Sequence, residues 1–172
     1  MLRSGRIFVG VDVGLDGGLA RIVTNVAGEV ISVEAARMPC IVEARGRRSV
    51  DPRALARWLI KASVGCGSVM VVYEQVHAMP KQGVTSVFSF GRSRGVVEGV
   101  IAALELPSLA VPPSRWKRDL GVTADKTACR AVASRLLPAG ASCWTLKRDD
   151  GLAEAALLAL WVMQRQGIPV AE

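Results

Sequence analysis

Residues 6–18 read Arg-Ile-Phe-Val-Gly-Val-Asp-Val-Gly-Leu-Asp-Gly-Gly. Ile7, Val9, Val11 and Val13 alternate with Phe8, Gly10 and Asp12, so the run is apolar on one face and largely apolar on the other. That pattern predicts a central strand buried on both sides, with Asp12 near its exit. The turn at residues 14–18 and the run 19–24 predict a hairpin, and Ala27-Gly28-Glu29 ahead of residues 30–35 predicts a second. Three antiparallel strands result.

Downstream, a loop carrying Arg45, Arg47 and Arg48 leads to Asp51-Pro52, where Asp51 can cap a helix that opens on the proline and runs to Ala62. Gly65 and Gly67 close it. The β-rich run 68–73 then returns as a strand beside the first and delivers Glu74. Residues 85–104 have a helical pattern in which Gly91, Gly95 and Gly99 recur every four positions and form a smooth stripe. Either the domain's own sheet or a second copy of the helix packs there. Residues 108–111 suit a last strand, followed by the basic run Arg115-Trp116-Lys117-Arg118, a helix over 123–137, and a final helix from Asp149 or Asp150 to Gln166. In the final helix Leu152, Ala155, Ala156, Ala159, Leu160 and Met163 share one face and Asp150, Glu154, Leu157 and Trp161 another. A helix so apolar belongs inside the fold, with its acidic start turned to a metal site or to solvent. The expected fold is α/β: a mixed five-stranded sheet, three antiparallel strands followed by two parallel ones, flanked by helices.

The chain has 172 residues, 51% of them hydrophobic and 5% aromatic, which suits one domain over residues 1–172. Twenty-two Lys and Arg against fifteen Asp and Glu leave a net charge of +7, favouring polyanions as partners. Cys40, Cys66, Cys129 and Cys143 form no CxxC pair and His77 is the only histidine, which argues against zinc. No uncharged apolar run reaches the ~18 residues of a membrane span, and no signal-type segment opens the chain. A cytoplasmic protein with reduced thiols is expected.

Three acidic positions stand out against this background: Asp12, Glu74 and the Asp149-Asp150 pair, each after or before an apolar segment. Carboxylates brought together in a partly buried place stay ionised only if a cation relieves their repulsion. Oxygen donors without a histidine or cysteine cluster favour Mg²⁺, with Mn²⁺ as a substitute, over zinc. For Asp149 and Asp150 a purely structural role is also open, since carboxylates at a helix start complement its dipole.

The chain resembles the RuvC-like Holliday junction resolvases among the RNase H-like nucleases, especially the phage, bacterial and plant organellar branches. The resemblance is carried by Gly10-Val11-Asp12-Val13-Gly14 with Gly17-Gly18, by residues 73–83 (Tyr-Glu-Gln-Val-His-Ala-Met-Pro-Lys-Gln-Gly), by Phe90-Gly91 with Gly95 and Gly99, by Trp116-Lys117, and by Asp149-Asp150-Gly151-Leu152-Ala153-Glu154-Ala155. It spans roughly residues 6–162, and its middle block is the most specific part. It implies an RNase H-like fold, with Asp12 as the first catalytic aspartate, Glu74 as the central glutamate, and Asp150 with Glu154 as the acidic pair of the last helix. Many family members carry two aspartates three apart. Here Asp150 and Glu154 are four apart, a spacing that keeps both on one helix face and favours Asp150 over Asp149.

The segment 121–126 resembles the place where the family begins a helix with a lysine near the scissile phosphate, which makes Lys126 a basic candidate, equally explicable as an exposed lysine in a helix's first turn; Lys81 and Gln82 fall on the rim beyond Glu74. Arg45, Arg47 and Arg48, with Arg92, Arg94, Arg115, Lys117 and Arg118, are further candidates for DNA contacts, each also explicable as a solvated charge. The resemblance implies a structure-selective endonuclease that resolves four-way junctions by paired symmetric nicks, using two Mg²⁺ ions held by Asp12, Glu74, Asp150 and Glu154. It also implies a two-fold homodimer, with the glycine-striped helix as the interface. The rivals are an RNase H-like nuclease for other branched DNA or structured RNA, and a catalytically silent binder of DNA structure.

Overall fold

A computed structural model describes residues 5–65, 67–75, 83–123 and 126–167, apart from the side chains of Arg45, Lys126 and Thr127. Strand β1 (Arg6–Val11) forms the middle of a five-stranded sheet, because its side chains are apolar to both sides. It pairs antiparallel with β2 (Gly18–Thr24), which pairs antiparallel with β3 (Val30–Arg37). After α1 (Pro52–Ser63) the chain returns as β6 (Ser68–Glu74), parallel to β1, and after α2 (Val84–Ala103) as β7 (Ser108–Val111), parallel to β6. The order β3-β2-β1-β6-β7 is the mixed sheet expected from the sequence. In the β1/β6 register Val11 faces Tyr73, so Asp12 and Glu74 leave neighbouring strands at one level.

Each face of the sheet carries its own core. Ile7, Val9, Val11, Leu19 and Val71 pack with Leu55 and Leu59 of α1 and Val97 and Ile101 of α2. On the other face Phe8, Ala20, Ile22 and Val72 meet α5 (Asp150–Arg165), and α4 (Lys126–Leu136) covers that helix. Helix α5 is buried from Gly151 to Met163 with the exception of Glu154. Burial on all sides explains why its sequence lacks a polar face. The crossing of α5 over β1 is close. A methyl group built on Gly10 would fall 1.9 Å from the Ala155 carbonyl oxygen and 2.7 Å from the Ala159 nitrogen.

Local signals account for the helix starts. The Asp51 carboxylate accepts the N–H groups of Arg53 (2.9 Å) and Ala54 (3.1 Å), with Pro52 as first helical residue. Three features differ from expectation. The loop around Arg45–Arg48 is a hairpin of β4 (Cys40–Val42) and β5 (Arg48–Val50), turned at Gly46 with φ +73°. Strands of three residues are too short for periodicity to reveal. The basic run is α3 (Pro113–Asp119), a short helix that buries Trp116. Helix α4 is described over Lys126–Leu136, and 3₁₀ turns over Pro138–Trp144 and Lys147–Asp149 lead into α5.

Of the two packings open to the glycine stripe of α2, contact with the domain's own sheet is not the one adopted. A methyl group on Gly91, Gly95 or Gly99 would meet nothing within 4 Å, and α2 instead buries Ser93, Val97 and Ile101. Among the described residues no helix is long and apolar enough to cross a membrane.

The β1–α5 crossing gives a direct test. Gly10→Ala puts a methyl group onto backbone that cannot yield, and is expected to cost about 3 kcal/mol, at the upper end for overpacking. Urea denaturation of the variant beside the unaltered chain measures it.

Candidate active site

Asp12 is held where β1 ends by a hydrogen bond from its own N–H to the Gly18 carbonyl at 2.9 Å, and its Oδ1 accepts the Gly14 N–H at 3.3 Å. Glu74 ends the adjacent strand, and its Oε1 accepts the indole Nε1–H of buried Trp116 at 3.1 Å. The first two turns of α5 supply Asp150 and Glu154. That helix start is pressed onto the β1–β2 turn, where a methyl group on Gly151 would sit 2.6 Å from the Asp16 carbonyl oxygen. Asp12, Glu74, Asp150 and Glu154 therefore line one cleft of about 850 Å³.

Three donors compensate these acids. Lys117 Nζ lies 3.0 Å from Glu154 Oε1, Arg130 Nε lies 2.7 Å from Asp150 Oδ1, and the Cys129 thiol faces Glu154 at 3.6 Å. Asp12 remains the most strained. Burial above all, then the charges of Glu154 and Glu74, push its carboxyl up to about 7, against the pull of the Gly14 N–H and Lys117. Burial likewise raises Glu74, partly offset by the Trp116 hydrogen bond. For Lys117 burial works against the ammonium, but the hydrogen bond and charge of Glu154 outweigh it and raise its pKa. Burial and the Glu154 charge hold the Cys129 thiol at about 11, so it stays protonated at neutral pH.

The donor chemistry fits a hard divalent cation: all oxygens, around a buried carboxyl whose ionisation a cation would favour. The carboxylates share the cleft without forming a finished cage. Among the described residues no three His, Cys, Asp or Glu side chains make a group that could hold a metal ion. Glu74, Glu154 and Asp150 each give one carboxylate oxygen to a donor, Trp116, Lys117 and Arg130 respectively.

The adjacent acids Asp149 and Asp150 go different ways. Asp149 is 8% exposed, pairs with Arg37, and accepts the Leu146 N–H on Oδ2 at 3.0 Å. Asp150 faces the cleft. The basic candidates divide as well. Lys117, read from the sequence as a DNA contact, lies among the carboxylates because α3 turns it beside Glu154. Arg92 pairs with Glu43 at 2.6 Å, Arg94 with Glu98 at 2.8 Å, and Arg118 with Asp119 at 3.5 Å, while Arg115 lies 5.7 Å over the Trp161 ring. None of these four lines the carboxylate cleft. Lys81, Gln82 and His77 lie outside the described residues, as does the Lys126 side chain. Sequence reasoning missed Trp116 and Arg130 as partners of the acids, and Arg37, Lys147 and Arg148 as cleft residues. Only the position of Lys147-Arg148 directly before the acidic pair was a signal for them.

The sequence matches no protein-family model and no curated protein. Solved structures do match in fold. Thermus thermophilus RuvC in complex with Holliday junction substrate superposes with a TM-score of 0.61 at 18% identity, covering 95% of this chain and 98% of that one. A second Thermus thermophilus RuvC structure gives 0.55 at 19% identity with the same coverage. The yeast mitochondrial Holliday junction resolvase Ydc2 gives 0.56 at 13% identity, over 92% of this chain and 78% of that one. The chain thus has the RNase H-like fold expected from its sequence.

The strain on Asp12 has a measurable consequence. Its carboxyl loses its proton near pH 4 in the unfolded chain and near pH 7 in the folded one, so between those values the folded state holds more protons. With chelator present, stability is expected to fall as pH rises from 5 to 8, by at most about 3 kcal/mol. Asp12→Asn should flatten that slope, and Mg²⁺ should raise the melting temperature more at pH 8 than at pH 6. Thermal melts across pH, with and without metal, measure all three.

Proposed function

We propose that the chain is a divalent-metal-dependent endonuclease that resolves four-way DNA junctions. The observation that carries this reading is the convergence of Asp12, Glu74, Asp150 and Glu154, from two parallel strand ends and one helix, on a single cleft. The fold shared with RuvC and Ydc2, whose names state junction binding or resolution, supports the choice of substrate.

In this reading Asp12, Glu74, Asp150 and Glu154 hold two Mg²⁺ ions, for which Mn²⁺ can substitute. Bound there, such ions supply water activation and charge stabilisation at the leaving 3′ oxygen, giving a 5′-phosphate at the nick. The chain's own groups prepare the site. Trp116 fixes the Glu74 carboxylate through its indole N–H, and Arg130 orients Asp150. Lys117, held beside Glu154, would donate to a phosphate oxygen, and Lys126 at the head of α4 is assigned a similar charge-neutralising part.

Two symmetric nicks call for two sites related by a two-fold axis. We assign the dimer contact to the open side of α2, where Val84 and Phe88 are 85% and 72% exposed in line with Gly91, Gly95 and Gly99. Small residues there let two helices approach closely, and the apolar pair at the N-terminal end supplies area to bury.

Cleavage of a synthetic four-way junction with Mg²⁺, Mn²⁺, Ca²⁺ or chelator, with nicks mapped on all strands, tests the activity. Paired symmetric nicks with Mg²⁺ or Mn²⁺ and none with chelator are expected; equal cutting of flaps, forks or structured RNA would sink the junction assignment. Asp12→Asn and Glu74→Gln should each abolish cleavage while sparing junction binding, and Lys117→Met should slow it about 10²-fold. Cleavage that survives both carboxylate changes refutes the metal site. For the dimer, Gly95→Leu should yield a folded monomer by sedimentation at micromolar concentration.

A further inference from the structure

The lining of the cleft is not only acidic. Arg37, Lys147 and Arg148 line it together with the carboxylates. Arg37 has a partner in Asp149, whereas Lys147 and Arg148 make no ion pair among the described residues. Other basic side chains near the cleft are already matched: Lys117 by Glu154, Arg130 by Asp150, Arg48 by Asp16. Two adjacent unpaired cations on a turn repel each other and gain nothing from one another, so what keeps them in place is the turn itself.

That turn is well braced. Asp149 donates its N–H to the Leu146 carbonyl at 2.9 Å and takes the Leu146 N–H on its carboxylate at 3.0 Å, closing the 3₁₀ turn Lys147–Asp149 on itself. Its other carboxylate oxygen pairs with Arg37 at the end of β3, which ties the turn to the sheet. The backbone that carries Lys147 and Arg148 is therefore ordered before any ligand arrives, and binding need order only two side chains.

A ligand of this cleft must satisfy charges of both signs. A single small anion would settle among the cations, away from the carboxylates. A phosphodiester strand can place one phosphate at the acids and a neighbouring one at the cations. Lys147 lies three residues before Asp150, a reach of about 10 Å at most between their Cα atoms. A DNA strand advances about 3.4 Å per nucleotide along its axis and its neighbouring phosphates stand farther apart than that, so the basic turn lies no more than about three phosphates from the reacting one.

We propose that Lys147 and Arg148, on the turn braced by Arg37 and Asp149, seat a non-scissile phosphate of the strand being cut. This rests on the reading that the cleft takes DNA, and it assigns the strand's path across the site from the acids toward the end of β3.

The test compares the unaltered chain with Lys147→Ala/Arg148→Ala. Junction binding is measured by fluorescence anisotropy over a salt series, both proteins carrying Glu74→Gln to keep the DNA intact, and steady-state cleavage is measured without that change. The seat predicts that the slope of log affinity against log salt falls by about two, with KM raised and kcat within a few-fold. Lys147→Arg/Arg148→Lys, which preserves both charges, should keep the original slope. An unchanged slope and KM in the alanine variant overturn the proposal, and so does a collapse of kcat at constant slope, which would put the pair on the reacting phosphate. If the unaltered chain neither binds nor cuts branched DNA, the nuclease reading fails and the seat with it. If the unaltered chain does both while the alanine variant behaves identically, only the seat fails.

Discussion

Helix α5 can reach its place only because β1 carries no side chain at residue 10. With the Ala155 carbonyl 1.9 Å from where a methyl carbon would stand, strand and helix are in backbone contact, closer than any pair separated by side chains. The same holds one strand over, where Gly18 meets the Gly151 backbone, and Gly17 forms a bridge with Gly151. These approaches fix the depth and rotation of α5. They bring Glu154 close to Asp12 and Asp150 into the same cleft, and a helix standing one side-chain layer further out would leave the acids of α5 beyond reach of those on the sheet.

Such proximity is electrostatically unfavourable, and the molecule shows where the cost is borne. Among the described residues Asp12 has no cationic side chain of its own, and its carboxyl is the one driven up to about 7. The acids around it are each given a donor, from two neighbouring helices: Trp116 and Lys117 from α3, Arg130 from α4. Burial of α5 between sheet and α4 supplies the opposing term, since each fully buried aliphatic side chain contributes about 1.5–3 kcal/mol. Several such residues, among them Leu157, Leu158 and Leu160, lie on this helix. Packing thus holds like charges together that would otherwise separate, leaving a site whose remaining strain a divalent cation would relieve.

Much of this was legible in the sequence. The runs that form β1, β6 and β7 are long or apolar enough to declare themselves, and a strand-helix-strand unit must return parallel, which sets Asp12 beside Glu74. The four-residue spacing of Asp150 and Glu154 showed that they share a helix face. Other parts were not legible for physical reasons. The β4–β5 hairpin is held by Arg48 reaching the Asp16 carboxylate and Leu15 carbonyl, and by Arg92 on Glu43, contacts between segments far apart in sequence. In α3 a seven-residue helix buries Trp116 and turns Lys117 to Glu154, and neither direction can be set by so short a periodic pattern. The glycine stripe revealed a smooth surface but not what faces it.

The Asp149-Asp150 pair shows how one local pattern carries two kinds of work. Successive residues of a helix point about 100° apart, so two adjacent carboxylates at its start face different ways. The chain resolves the conflict by placing Asp149 just outside α5, in the preceding 3₁₀ turn, where it accepts the Leu146 N–H and pairs with Arg37. Asp150, one residue on, has helical geometry and lies over the cleft. Replacing Asp149 would free the turn that leads into the helix; replacing Asp150 would alter the cleft and leave the turn closed. The two acids are adjacent because the structural one must stop the turn at the residue where the other begins the helix.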